Sequence, residues 1–446
     1  MRLINRTAAL LTLLFIFAFS ARGLMAQANP VQFVKDSLEN GLQVIYHVDK
    51  SAPVVATVLH YRVGSKDEDP SRTGFAHFFE HLMFEATDDI PRASMDKYVQ
   101  EAGGSLNAHT AFDETVYQFK LPSNEVKLAL WIESQRMRKL HVNEIGVETQ
   151  RGVVKEERKT RVDNQPYGNL LEKMAKELFK GGSYSWTPIG SEQHIDIAAI
   201  EEFKAFYNSF YQPNNATLVV AGDFEITEVK KYVKDYFGHY ERAPEPARSE
   251  FKLLPLEKEY RETIKDDKAT LPAVFMGYRG PKLGSDDYYA MNLLTDIMAA
   301  GESSRMYRKL VDEKELAIQT AVIPFSLQHS GMILLYGIPN MGVDVTKVEK
   351  EMYKVIDRIV KDGVTDDELQ KARNIKEAQS VEGKKSVLRK AMDLAQFNSY
   401  YGDPSLINNE IDKYLQVSKE DLKRVAKKYF DIDKKIVLTY LPSEAQ

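Results

Sequence analysis

One pattern occurs twice in this chain, once near its middle and once at its end. "EEFKAFYNSFYQPNNATLVVAGD" and "KEDLKRVAKKYFDIDKKIVLTYLP" each run from an amphipathic helix through an aromatic pair and a turn into an apolar strand. Phe203 and Phe210-Tyr211 in the first match Leu422 and Tyr429-Phe430 in the second. A supersecondary unit repeated in this way suggests duplication. Helix–turn–strand is a common arrangement, so spacing alone also allows two unrelated units. The expected fold class is α+β, with two homologous domains, each a mixed, mostly antiparallel sheet with helices packed on it. At 446 residues the chain is long enough for each domain to bury its own core.

Proline and charge concentrate in "HYERAPEPARSEFKLLPLEKEYRE", which reads as a linker over 243–262. It would separate an N-terminal domain, 30–242, from a C-terminal domain, 263–446. In the first, "FVKDSLENGLQVIYHVD" alternates around Asn40-Gly41 as a hairpin, and "PVVATVLHYRVG" reads as a buried strand. Helical pattern runs from Glu144 to Phe179 and breaks at Pro166 and Gly168.

Residues 1–26 differ from the rest. Arg2 and Arg6 precede an apolar run from Ala8 to Phe19 and then small residues, the order of a secretory signal peptide. The run is short for a bilayer span, which needs about 20 residues; an uncleaved anchor is the other reading. Export to a periplasm or the extracellular space is expected, with no membrane span in the mature chain. The chain has no cysteine, which excludes thiol catalysis and Cys-ligated metal sites. A net charge of -5 gives no basic footprint for nucleic acid.

Chemistry concentrates in "TGFAHFFEHLMFEAT". On a helix, His77 and His81 share a face and can present two imidazoles to one ion. Glu80 is placed to reach a metal-bound water without binding the metal, the inverse order of the H-E-x-x-H peptidase helix. The opposing reading is a buried apolar helix, since Phe75, Phe78, Phe79, Leu82 and Phe84 surround the histidines. A third ligand would decide between them, and the helix "VETQRGVVKEERKTRVDN" offers Glu148, Glu156 and Glu157. Spacing does not choose between Glu156 and Glu157, which point about 100° apart.

Together with "GGSLNAHTAFDETVYQF", "RGVVKEERKTRVDNQPYG", "YQPNNATLVVAGD" and "SSRMYRKLVDEKELA", this stretch resembles the inverted-motif zinc peptidases that include pitrilysin, insulysin and the mitochondrial processing peptidase. The resemblance covers essentially the whole mature chain and is closest in length to short bacterial members with two homologous domains. It implies one Zn2+ per chain held by His77, His81 and Glu157, with Glu156 as the fallback, and Glu80 as general base. It also implies that substrate backbone docks on an edge strand at Asn107 and Ala108. Gln150 stands where relatives often carry a glutamate near the metal.

In single-chain relatives an arginine and a tyrosine of the second half reach the substrate. The matching positions here are Val311 and Ile318, which can supply neither charge nor a side-chain hydrogen bond. The resemblance therefore implies an exported zinc endopeptidase or oligopeptidase for unfolded or short peptides. It would be the metal-bearing subunit of a hetero-oligomer whose homologous partner supplies the pair, or a homodimer. The alternative is a weakly active or non-catalytic structural homologue.

Overall fold

The computed structural model describes residues 30–443, so the leader expected over 1–26 lies outside the described residues. The Asn40-Gly41 turn joins β1 (Val34–Ser37) to β2 (Gln43–Val48) as an antiparallel hairpin. β3 (Val54–Tyr61), β4 (Ser105–Thr110), β5 (Thr115–Pro122) and β6 (Ala216–Gly222) complete a six-stranded sheet in the order β1-β2-β6-β3-β5-β4. β7 (Tyr260–Asp266), β8 (Ala273–Gly280), β9 (Ala317–Ser326), β10 (Gly331–Pro339) and β11 (Ile436–Pro442) form a second sheet ordered β7-β11-β8-β10-β9.

The two sheets share a plan. β6 lies parallel to β2 and antiparallel to β3, and β11 lies parallel to β7 and antiparallel to β8. The helices Ile200–Phe210 and Lys419–Tyr429 immediately precede these two inner strands. The twice-used sequence pattern thus builds the same strand of each sheet. Its apolar run is explained by position: all seven residues of β6 are buried, because both edges and both faces are covered.

The halves exchange helices. Leu170–Leu178, from the first half, lays Met174, Ala175 and Leu178 against Phe275, Ile436 and Leu438 of the second sheet. Val387–Tyr401, from the second half, covers β3 and β6 of the first. There Asn398 donates to Thr217 Oγ1 at 3.0 Å, and Lys390 pairs with Asp49. The first exchange is apolar, and the second buries Ala391, Leu394 and Ala395 beside these polar contacts.

Residues 241–259 contain neither helix nor strand, yet Phe251, Leu253 and Leu256 pack against the apolar cluster between the halves. β7 begins inside the stretch expected to be linker; its alternation of charged residues resembles linker composition. Among the described residues no helix is long and apolar enough to cross a membrane.

Candidate active site

The helix Phe75–Leu82 begins at Gly74, whose φ of 96° lies in the left-handed region and favours glycine. A Cβ there would stand 3.1 Å from the carbonyl oxygen of Ile189. No side chain at the N-cap satisfies the first amides; Glu68 does so from upstream. Its carboxylate accepts from Gly74 N at 2.9 Å, Ala76 N at 2.8 Å and Trp186 Nε1 at 3.0 Å. Burial, opposed by these donors, pushes the Glu68 carboxyl up to about 8.

Aromatic packing sets the rotation of this helix. Phe75 and Phe78 each stack on Phe203 at 4.6 Å, and Phe79 lies over Tyr207 at 5.8 Å. With that face committed to the core, His77 and His81 face the helix Glu144–Arg158, and Glu80 lies near His109 of β4 and Tyr117 of β5. One side of the helix is the buried apolar face expected of a core element, and the other carries the two histidines.

Glu157 meets the two histidines. Its Oε2 lies 3.5 Å from His77 Nε2 and 2.9 Å from His81 Nε2. The rings meet edge to face with centroids 4.8 Å apart. His77 and then His81 hold the Glu157 carboxyl well below the usual carboxylate range. Three electron-pair donors, all within 4.8 Å of one another, repel unless a proton or a cation lies among them. Two imidazoles and one carboxylate are also a donor set that zinc accepts, so the residues present fit the ion. Glu156 is turned outward, 70% exposed and facing Lys159.

Glu80 is half-buried and makes no hydrogen bond or ion pair among the described residues.

Asn107 and Ala108 lie on β4, the edge strand of the first sheet, paired with Gln118 and Tyr117 of β5 and bounded by no strand on the other side. Gln150 does not reach the cluster through a contact of its own; its amide donates to Glu85 at 2.8 Å. Val311 lies in the π-turn Arg308–Asp312, and Ile318 is an exposed residue of β9.

The structure adds groups that sequence reasoning passed over. His109 follows Ala108 on β4 and approaches Glu114 Oε1 at 3.5 Å. Glu114 also meets His60 Nε2 at 2.7 Å and accepts from Tyr400 at 2.7 Å. Burial works to raise the Glu114 carboxyl, but His60, His109 and Tyr400 together hold it well below its usual range. The hydrogen bond to Glu114 raises the His109 imidazole, and the charge of Glu80 adds to that effect. Two-residue alternation along β4 puts His109 on the same face as Asn107, which was the available signal. Tyr400, from the exchanged helix, had none.

Residues 43–187 match the family model described as Insulinase (Peptidase family M16), and residues 199–376 match Peptidase M16 inactive domain. The chain is 30% identical to the zinc protease PqqE of Helicobacter pylori over 408 residues, covering 88% of this chain and 89% of that one. It belongs to the M16, or insulinase, family of peptidases. A crystal structure of a protease from Helicobacter pylori superposes on this M16 chain with a TM-score of 0.87 at 28% identity, covering 93% of this chain and all of that one. The periplasmic protease PqqL of Escherichia coli shares the fold, with a TM-score of 0.76 at 18% identity; the match covers 94% of this chain and 48% of PqqL.

Proposed function

We propose that this M16 chain is an exported zinc endopeptidase or oligopeptidase that hydrolyses unfolded or short peptides. The observation that carries this reading is the convergence of His77, His81 and Glu157 beside the unengaged carboxylate of Glu80. The names of its relatives support zinc and proteolysis, and the periplasmic description of PqqL supports export to that compartment.

His77 Nε2, His81 Nε2 and Glu157 Oε2 would hold the ion. Bound there, zinc would lower the pKa of its water and polarise the scissile carbonyl. The free edge of β4 at Asn107 and Ala108 pairs with an extended peptide and fixes its backbone, leaving side-chain preference to neighbouring pockets. Glu80 takes the proton of the attacking water and returns it to the leaving amine. The stacked phenylalanines hold Glu80 at its station, so geometry rather than flexibility sets the distance of transfer.

A homologous partner chain supplying an arginine and a tyrosine completes the proposal, because Val311 and Ile318 provide neither. The same two residues favour a second reading, a structural homologue with little hydrolysis. Glu80→Gln separates them: it should keep near-stoichiometric zinc while a quenched peptide is no longer cut. A wild-type chain that binds zinc yet cuts no peptide, alone or with a homologous partner, would establish the structural reading.

A further inference from the structure

Hydrolysis of a peptide bond places a full negative charge on the former carbonyl oxygen, and an enzyme gains most by aiming a fixed donor at that position. The helix carrying Glu157 and the turn after it hold several cations, and most are engaged elsewhere. Arg151 reaches Glu148 and the carbonyl of Ala198, and Lys155 reaches Glu192 and Asp196. Arg158 is bonded to Glu172 and to the carbonyl of Gly190, and Lys159 faces Glu156.

Arg161 is placed differently. It lies in the π-turn Lys159–Asp163 that ends the helix, and its Nη1 forms an ion pair with Glu157 Oε1 at 2.6 Å. Oε2 of the same carboxylate is the atom facing both histidines, so one carboxylate group separates the guanidinium from the ion-binding position. A guanidinium has five N–H donors in a rigid fork, and this side chain is 74% exposed. The guanidinium lies against Glu157 at Nη1 and is otherwise largely open to solvent. Single-turn π segments often occur at functional positions, where they re-aim a side chain.

We propose that Arg161 is a substrate-contacting residue: Nη1 stays on Glu157 while its remaining N–H groups donate to the scissile carbonyl oxygen as that oxygen becomes negative. The inference rests on the peptidase reading above. Water's oxygen bonds to the carbonyl carbon, the carbonyl π pair moves onto its oxygen, and Glu80 takes the water's proton. Collapse restores the double bond, breaks the C–N bond and passes the proton to nitrogen. Arg161 neither gains nor loses a proton and acts by charge alone.

The alternative role is positioning, in which Arg161 only steadies Glu157. Zinc-loaded wild type, Arg161→Gln and Arg161→Lys distinguish the two. The tests are kcat and KM on a quenched peptide, zinc affinity by chelator competition, and affinity for a phosphinic peptide that imitates the anionic tetrahedral state. Arg161→Gln should lower kcat about 100- to 1,000-fold while KM and zinc affinity stay within about threefold. Phosphinic-peptide affinity should fall with kcat, and Arg161→Lys should recover part of both losses. Zinc affinity falling in step with kcat would make Arg161 a positioning residue, and unchanged binding of the phosphinic peptide would remove it from the site. If even wild type cuts nothing, the peptidase reading fails, and phosphinic-peptide binding still decides whether Arg161 meets the anion.

Discussion

Gln150 donates its side-chain amide to Glu85 Oε1 at 2.8 Å, and Arg92 holds the other oxygen of that carboxylate at 2.5 Å. Glu85 is only 4% exposed, and Arg92 Nη2 also reaches Oε1 at 3.3 Å, so Gln150 supplies the shorter of two donors to that oxygen. The glutamate that the family resemblance would place at 150 could not donate unless protonated. In Gln150→Glu two carboxylates would share one proton, which the native state holds and the unfolded chain releases above about pH 4.3. Stability of the variant should therefore fall relative to wild type as pH rises from about 5 to 8, by about 1–2 kcal/mol. Urea unfolding at both pH values checks this; an equal difference at both would mean that the proton is not shared.

The proposed third ligand is tested by a pair of neighbours. Glu157 is turned to His77 and His81, and Glu156 to Lys159 and solvent. Glu157→Gln should weaken zinc binding by 10-fold or more, roughly the loss expected when one partner of a metal's immediate surroundings is removed. Glu156→Gln should leave it unchanged, since an exposed ion pair contributes about 0–1 kcal/mol. Isothermal titration of the two variants measures both; equal losses would move the ligand off Glu157.

What could be read from the sequence follows from what is local. A helix face repeats within four residues, so the placement of His77 and His81 on one face was legible. The repeat ending in Tyr211 and in Phe430 was equally visible, and the sheets confirm the α+β plan it implied. The choice between Glu156 and Glu157 depends on the rotation of one helix against another, which spacing cannot supply. β7 escaped notice because none of its residues is buried and its charged residues carry no apolar pattern; only its pairing with β11 makes it a strand. Least visible was the exchange of helices: Tyr400 reaches Glu114 across 286 positions of sequence, and nothing near either residue signals the other.

Glu410 gives a pH dependence of the opposite origin to salt-bridge loss. It lines a cavity of about 630 Å³ with Tyr288, Tyr401 and Tyr414, and makes no hydrogen bond or ion pair among the described residues. Burial, aided by Asp393 and opposed by Lys376 and Arg389, pushes its carboxyl up to about 7. An acid raised on folding binds more protons in the native than in the unfolded state between about pH 4.3 and that value. Its contribution to stability is therefore lost as pH rises through this window and stays lost above it. Glu410→Gln should match wild type near pH 4 and exceed it at pH 8 by roughly 1–3 kcal/mol, as denaturant unfolding across pH would show. No gain at pH 8 would mean that the carboxylate is better solvated than the cavity suggests.

The apolar helix exchange makes a prediction about a residue with no side chain. Gly277 of β8 lies under Met174, and a Cβ at that position would stand 2.2 Å from Met174 Sδ and 3.0 Å from Leu178 Cδ1. Met174 and Leu178 belong to the first half and are fully buried against the second sheet. Gly277→Ala must push the helix Leu170–Leu178 outward or force Met174 into another rotamer, at a cost of about 1–3 kcal/mol. Because Glu157 lies on the helix just before this one, outward movement should also loosen the ligand set. Met174→Ala in the same background frees the space and should recover stability, whereas Met174→Ala alone leaves a cavity and costs about 2–5 kcal/mol. Unfolding measurements on the two single variants and the double variant form a cycle. Additive losses would show that Gly277 and Met174 do not compete for this space, and a positive coupling would show that the exchanged helix holds the two sheets together here.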